Sequence, residues 1–219
     1  MDKTYFGSLY VNGILPVAAI EDENKALFVA EALLKGGIDC IAVLFNRGAA
    51  LTSVKLIHAN FPDMLIGAGG VLTASSAEAA FSAGASFAVC PGFSLPLINK
   101  LNEAKIPIIP GIATASEVMT ATYNGINAVS FFPAKQAGGV DYLKKMTAIF
   151  PDMKFMPAGG VQIDTLDDYV SIDSVFCCAA SFVCPKELIA ESNYKKIAEL
   201  SKSAVAVVKS KREKRYFYA

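Results

Sequence analysis

At 219 residues the chain has room for one large core or two small ones, and 53% hydrophobic against 18% charged residues excludes a largely disordered protein. Lysine plus arginine and aspartate plus glutamate both number 20, so no net basic field exists to hold nucleic acid, and little charge keeps copies apart. No apolar run reaches the length of a membrane span, and the N-terminus MDKTYFGSLYVNG lacks a signal-peptide core, so a cytoplasmic protein is expected.

In chain order, the first strand is read at 14–20 (ILPVAAI), followed by a helix that opens at 21–24 and stops at Gly36-Gly37. A second strand at 40–45 (CIAVLF) precedes a helix at 50–60. The third, 65–71 (LIGAGGV), ends in glycines before a helix from 75 to about 83. The fourth, 87–90 (FAVC), is closed by Pro91-Gly92, with a helix at 95–104; the fifth, 107–111 (PIIPG), has its helix at 116–124. The sixth, 128–132 (AVSFF), is closed by Pro133, runs into a small, glycine-rich loop and leads to a helix at 140–149. The seventh, 154–157 (KFMP), ends at Ala158-Gly159-Gly160 before a helix near 165–170; the eighth, 175–179 (VFCCA), precedes a long helix over 190–211.

Eight strand–helix units at a spacing of roughly 25 residues, each strand apolar on both faces, predict an all-parallel sheet closed into a single (β/α)8 barrel spanning residues 1–219. A doubly wound open sheet is the alternative, but no G-x-G-x-x-G follows the first strand. Cys40, Cys90, Cys177, Cys178 and Cys184 all lie in apolar runs and read as buried, reduced thiols. With one histidine and no paired C-x-x-C, no metal site is expected. His58 reads as a surface or packing residue. Glu78 and Glu117 sit early in their helices, where negative charge suits the macrodipole. The C-terminal run KSKREKRYFYA reads as a frayed, solvated helix end whose Tyr216-Phe217-Tyr218 packs on a neighbouring surface or subunit, with a nucleic-acid arm as the weaker alternative.

In a barrel, reacting groups sit on the loops just past each strand. These are 19–20, 42–47, 69–70, 91–94, 111–114, 130–135, 158–161 and 179–181. An ordered series of motifs runs through them: LPV at 15–17, GG at 36–37, GAG at 67–69, CPGF at 90–93, IPIIPGIAT at 106–114, FFPA at 131–134 and PAGGV at 157–161. On these motifs the chain resembles the KDPG/KHG aldolases, class I enzymes that cleave 2-keto-3-deoxy-6-phosphogluconate or 4-hydroxy-2-oxoglutarate to pyruvate and an aldehyde. The resemblance covers about residues 14–185. It implies a TIM barrel of class I aldolase type, a homotrimer, no cofactor, and a small 2-oxo acid or sugar phosphate as ligand.

The working positions that the resemblance implies are substituted here. Ser130 stands where the family carries its imine-forming lysine, in the pattern K-x-F-P. Ala42 and Asn46 stand at the Glu and Arg of E-x-x-x-R, with Arg47 displaced by one. Gly70 replaces the Thr of GAGT, and Ala158 the Thr of P-T-G-G. Ala179-Ala180-Ser181 takes the place of the phosphate loop G-G-S. An imine needs an amine, and aldol cleavage needs an acid/base to shuttle protons. Serine and alanine provide neither, so ordinary aldolase activity is predicted lost or strongly altered.

Lys135 is the rescue candidate, either a relocated amine or a solvated surface lysine; Arg47 is either a displaced carboxylate clamp or a loop arginine. Substrate contacts are expected from Arg47, Gly70, Pro91, Phe132 and Ala158, and phosphate contacts from Gly159, Gly160, Ala180 and Ser181. Three readings stay open: a binding or regulatory protein with the aldolase site dismantled, a lyase using Lys135, and a barrel doing non-imine chemistry on a related keto acid.

Overall fold

The computed structural model describes residues 5–45 and 48–218. The chain opens on α1 (Tyr5–Asn12), an element not expected before residue 14, which buries Leu9 and leads into β1 (Ile14–Ala18). Strand and helix then alternate through α2 (Ala26–Lys35), β2 (Cys40–Leu44), α3 (Ala50–Asn60), β3 (Leu65–Gly69) and α4 (Ala74–Ser82). Next come β4 (Phe87–Val89), α5 (Leu95–Glu103), β5 (Ile108–Ile109), β6 (Gly111–Ile112) and α6 (Ala115–Tyr123). The chain closes with β7 (Ala128–Phe131), α7 (Gly139–Ile149), β8 (Lys154–Pro157), α8 (Ile163–Val170), β9 (Cys178–Ala180), the short α9 (Lys186–Ala190) and α10 (Tyr194–Tyr218).

Every ladder is parallel, as strands apolar on both faces require. Two sheets form, β5-β4-β3-β2-β1-β9 and β6-β7-β8. The fifth predicted strand is split: β5 pairs with β4, β6 pairs with β7, and Pro110 between them has no N–H to give either ladder. At the other side, parallel bridges Phe155↔Val175 and Ala158↔Ala179 tie β8 to the β9 segment. The result is a curled parallel α/β sheet with its helices outside.

The helices follow their apolar spacing. In α2, Ala26, Val29, Ala30 and Leu33 are buried along one stripe; in α10, Ile197, Ser201, Ala204 and Val208 are. Gly36, just past α2, lets α10 approach closely, since a Cβ there would lie 2.1 Å from the Ser201 Cβ. Two residues of the C-terminal charged run, Lys211 and Arg212, are less solvated than expected. Arg212 is buried, donates from Nη2 to the Phe176 carbonyl at 2.7 Å and lies 4.4 Å from the centre of the Tyr10 ring. Lys211 pairs with Asp167 of α8 at 2.8 Å. The expected packing of Tyr216-Phe217-Tyr218 concerns side chains outside the described set. His58 is exposed on α3 with its ring against the Gly84 turn, as a packing residue.

Glu117 is the N3 partner of a capping box on α6. Its Oε2 accepts from the Ala113 N–H at 2.9 Å, the Thr114 N–H at 2.8 Å and the Thr114 hydroxyl at 2.7 Å. Partial burial pushes this carboxyl up, but those donors outweigh it and hold it below the ordinary value. A carboxyl depressed by folding gives stability that is present above its unfolded pKa and lost as pH falls through the folded one. Thr114→Ala is therefore expected to cost ~1 kcal/mol near neutral pH and less once Glu117 is protonated. Urea titrations at the two pH values check this; an equal cost at both rules out a contribution from the carboxylate.

Candidate functional site

Side chains alternate across a strand, so residues two apart share a face. Leu15 and Val17, Ala42 and Leu44, Ser130 and Phe132, and Ala179 and Ser181 are such pairs, and all line one cavity of 390 Å³. Its walls are completed by the loops after β3 and β4 and by Ala158-Gly159 after β8. This is the carboxyl end of the strands, where the loop ends were expected to converge.

Of the residues singled out from sequence, Ala42, Gly70, Pro91, Ser130, Phe132, Ala158, Gly159 and Ser181 meet at this cavity. Ala180 does not: it lies between two inward residues, so its methyl points to the opposite face, where it is buried. Gly160 and Lys135 are also absent from the wall. Lys135 is exposed, its N–H bonded to the Gly159 carbonyl at 3.0 Å, and its stem crosses Gly160 so closely that a Cβ there would lie 2.4 Å from the Lys135 Cβ. Arg47 lies outside the described residues.

The floor is polar at one point. Ser130 is 1% exposed, its N–H bonds the Pro110 carbonyl at 2.8 Å, and its side chain brings a hydroxyl to the cavity wall. Ala42 is equally buried and offers only a methyl. Gly70 leaves space that Leu44 occupies, its Cδ2 3.7 Å from where a Cβ would stand. Cys90 lines the wall as a neutral thiol, its pKa pushed up to about 12 by burial. No Lys, Arg, His, Asp or Glu among the described residues lines the cavity. Leu15, Val17, Leu72, Val89 and Cys90 belong to the wall but were not anticipated. The period-two rule, extended one pair back along each strand, was the signal that would have found Leu15 and Val17.

At the rim, Gly159 and Gly160 both take positive φ, +84° and +80°. A Cβ on Gly159 would stand 3.0 Å from the Phe132 ring, so glycine serves both the turn and the ring beside it. Ser181 is exposed at the same end of the cavity.

The other four thiols are not among the residues that line the cavity. Cys184 and Cys177 are pushed up to about 12, chiefly by burial; for Cys177, Arg212 and the Cys178 carbonyl pull the other way. Burial also raises Cys178 and Cys40 well above the ordinary thiol value, reinforced in both by Cys177 and in Cys40 also by Asp39, with Arg212 opposing at Cys178. All five are unpaired in disulfides.

Residues 8–200 match the family model for KDPG and KHG aldolase. A 2-dehydro-3-deoxy-phosphogluconate aldolase of Pseudoalteromonas atlantica is 37% identical over 193 residues, 88% of this chain and 90% of that one. The KHG/KDPG aldolase of Escherichia coli is 33% identical over 204 residues, 93% of this chain and 96% of that one. Among solved structures, the KDPG aldolase of Legionella pneumophila, captured with pyruvate as a covalent carbinolamine, superimposes with a TM-score of 0.88 at 36% identity, covering 92% of this chain and 98% of that one. The enzyme of Zymomonas mobilis, solved with 3-phosphoglycerate, gives 0.88 at 32% identity, covering 94% and 97%. A parallel α/β sheet whose loop ends enclose one cavity, matched along nearly its whole length in sequence and in shape, makes this chain a member of the KDPG and KHG aldolase family.

Proposed function

We propose that this chain is a family member in which imine-based aldol cleavage is lost and the cavity serves to bind a small 2-oxo acid or sugar phosphate. The observation that carries the reading is the cavity floor. The strand positions that the family resemblance assigns to the lysine and the acid/base hold Ser130 and Ala42, and no amine or carboxylate among the described residues replaces them on the wall. A hydroxyl cannot condense with a ketone to an imine, and a methyl cannot carry a proton. Phosphate contacts are assigned to the rim: Gly159-Gly160, with two successive positive-φ residues before α8, and the Ser181 hydroxyl.

The same reading takes the two sheets as one closed (β/α)8 barrel, with β5 and β6 counted as one strand and the bridges from β8 to the β9 segment as the closing seam. Assembly as a homotrimer goes with family membership and is supported by apolar side chains left exposed, among them Val11 at 78%, Met119 at 63% and Tyr123 at 91%. A cytoplasmic setting accords with five reduced thiols.

Borohydride trapping with pyruvate, read by intact mass and peptide mapping, tests the loss of imine chemistry. The expected result is no adduct, together with a rise in melting temperature on adding phosphorylated acids. An adduct mapped to Lys135, abolished in Lys135→Ala, would sink this reading and establish the relocated amine instead.

A further inference from the structure

The segment that leads into β9 changes hydrogen-bonding sides part-way along. On a regular strand, N–H groups two residues apart point to the same neighbour. Here the Phe176 N–H donates to β8, at the Phe155 carbonyl (3.1 Å), whereas the Cys178 N–H donates on the β1 side, at the Gly13 carbonyl (3.0 Å). The backbone therefore swivels across Cys177, as at a bulge, and the swivel sets which side chains beyond it face inward. Ala179 and Ser181 line the cavity, and Ala180 does not. The Phe176 carbonyl falls at this swivel. From β8 the Phe155 N–H bonds the Ser174 carbonyl at 2.8 Å. Two residues on, where a regular ladder would place the donor for Phe176, stands Pro157, which has no N–H.

A side chain of the C-terminal helix provides the donor instead. Arg212, 36 residues further along the chain, donates from Nη2 to the Phe176 carbonyl at 2.7 Å. It is buried, with its Cζ 4.4 Å from the centre of the Tyr10 ring of α1. It also lies against Gly13, where a Cβ would stand 2.9 Å from that Cζ. One guanidinium thus meets α1, the residue before β1 and the closing segment of the sheet. From this placement we infer that Arg212 is a positioning residue for the cavity wall: it holds the swivel before β9 and so fixes the direction in which Ala179 and Ser181 point. The inference stands on backbone hydrogen bonds and is independent of what the cavity binds. Arg212 lies beyond residues 8–200, the part of the chain that matches the family model.

Hydrogen–deuterium exchange on the full chain tests this with two variants. Arg212→Met keeps a long apolar stem and removes the donor. Residues 176–180 should then exchange roughly tenfold or more faster, while β3, separated from β9 by β1 and β2, keeps the parent's rate. Adding Pro157→Ala returns an N–H to β8 opposite the Phe176 carbonyl, so the double variant should regain protection at 176–180 without the arginine. Faster exchange by the same factor in β3 would overturn the inference, since Arg212 would then be a general stabiliser. Unchanged exchange at 176–180 in Arg212→Met would overturn it too, because the swivel would be held by other contacts. A double variant no better protected than the single one also counts against it. Should Arg212→Met not fold, the double variant decides alone: folded and protected at 176–180 it supports the inference, and unfolded or unprotected there it overturns it.

Discussion

Ser130→Lys is expected to turn a protein that pyruvate and borohydride leave unmodified into one that they label at a single site. Position 130 faces the cavity from the middle of the sheet, and its neighbours in the ladder are Gly111 and Met156, neither of which can pair with a charge. A lysine placed there loses hydration, its pKa falls, and a larger fraction is the neutral amine that attacks a ketone. Labelling alone does not make a lyase. The proton shuttle is also missing, so measurable cleavage of 2-keto-3-deoxy-6-phosphogluconate is expected only when Ala42→Glu accompanies it, general acid–base assistance contributing roughly 10²–10⁴ in rate. Intact mass after reduction checks the first step and a coupled pyruvate assay the second. A folded Ser130→Lys protein that takes no label would mean that this position does not open onto a pyruvate-sized space.

The largest stability effect is expected at the residue beside it. Phe131 is fully buried at the end of β7, its backbone in register with Ile112 and Pro157 and its ring stacked on Tyr142 of α7, 5.8 Å between centres at 21°. Phe131→Ala removes that ring from the seam between sheet and helix and leaves a hole that the strand's paired backbone cannot close. Such truncations cost ~3–5 kcal/mol, against a total stability of about 5–15 kcal/mol for an ordinary domain. In a chain of this size the melting temperature should fall by roughly 6–20 °C. Ile149→Ala, on a side chain 66% exposed at the end of α7, should stay within ~0.5 kcal/mol. Calorimetry on the pair decides; a Phe131→Ala protein that melts with the parent would show that β7 is not held to α7 through this ring.

Much of the architecture was legible in the sequence because its strands are short apolar runs punctuated by glycine and proline. The helix expected at 50–60 is α3 to the residue. The fifth strand was not, since PIIPG reads as one run; only its partners reveal that Pro110 is where the chain leaves one sheet for the other. In the eighth, the ladder to β1 begins at Cys178, while Val175 contributes only a bridge to Phe155. The cavity was legible where its residues are unusual in kind, as with Ser130 or Gly159. Leu15 and Val17 escaped notice because a leucine or valine that faces a cavity has the same sequence signature as one that faces the core. The two differ only in which side of the strand they occupy. Ala180 illustrates the converse, since a one-residue step across the pleat turns its methyl away from the cavity.

The five buried thiols give this molecule an unfolding clock of its own. Alkylating reagents attack the thiolate, and here each sulfur is both enclosed and held protonated. At Cys40, Cys177, Cys178 and Cys184 a folded chain is therefore silent to iodoacetamide, and their carbamidomethylation dates an opening of the core. Cys90 stands apart because it lines the cavity, so its protection is a tally of how often that space is occupied. One unmutated protein and one mass spectrum thus keep two separate records, the lifetime of the fold and the residence of whatever the fold encloses.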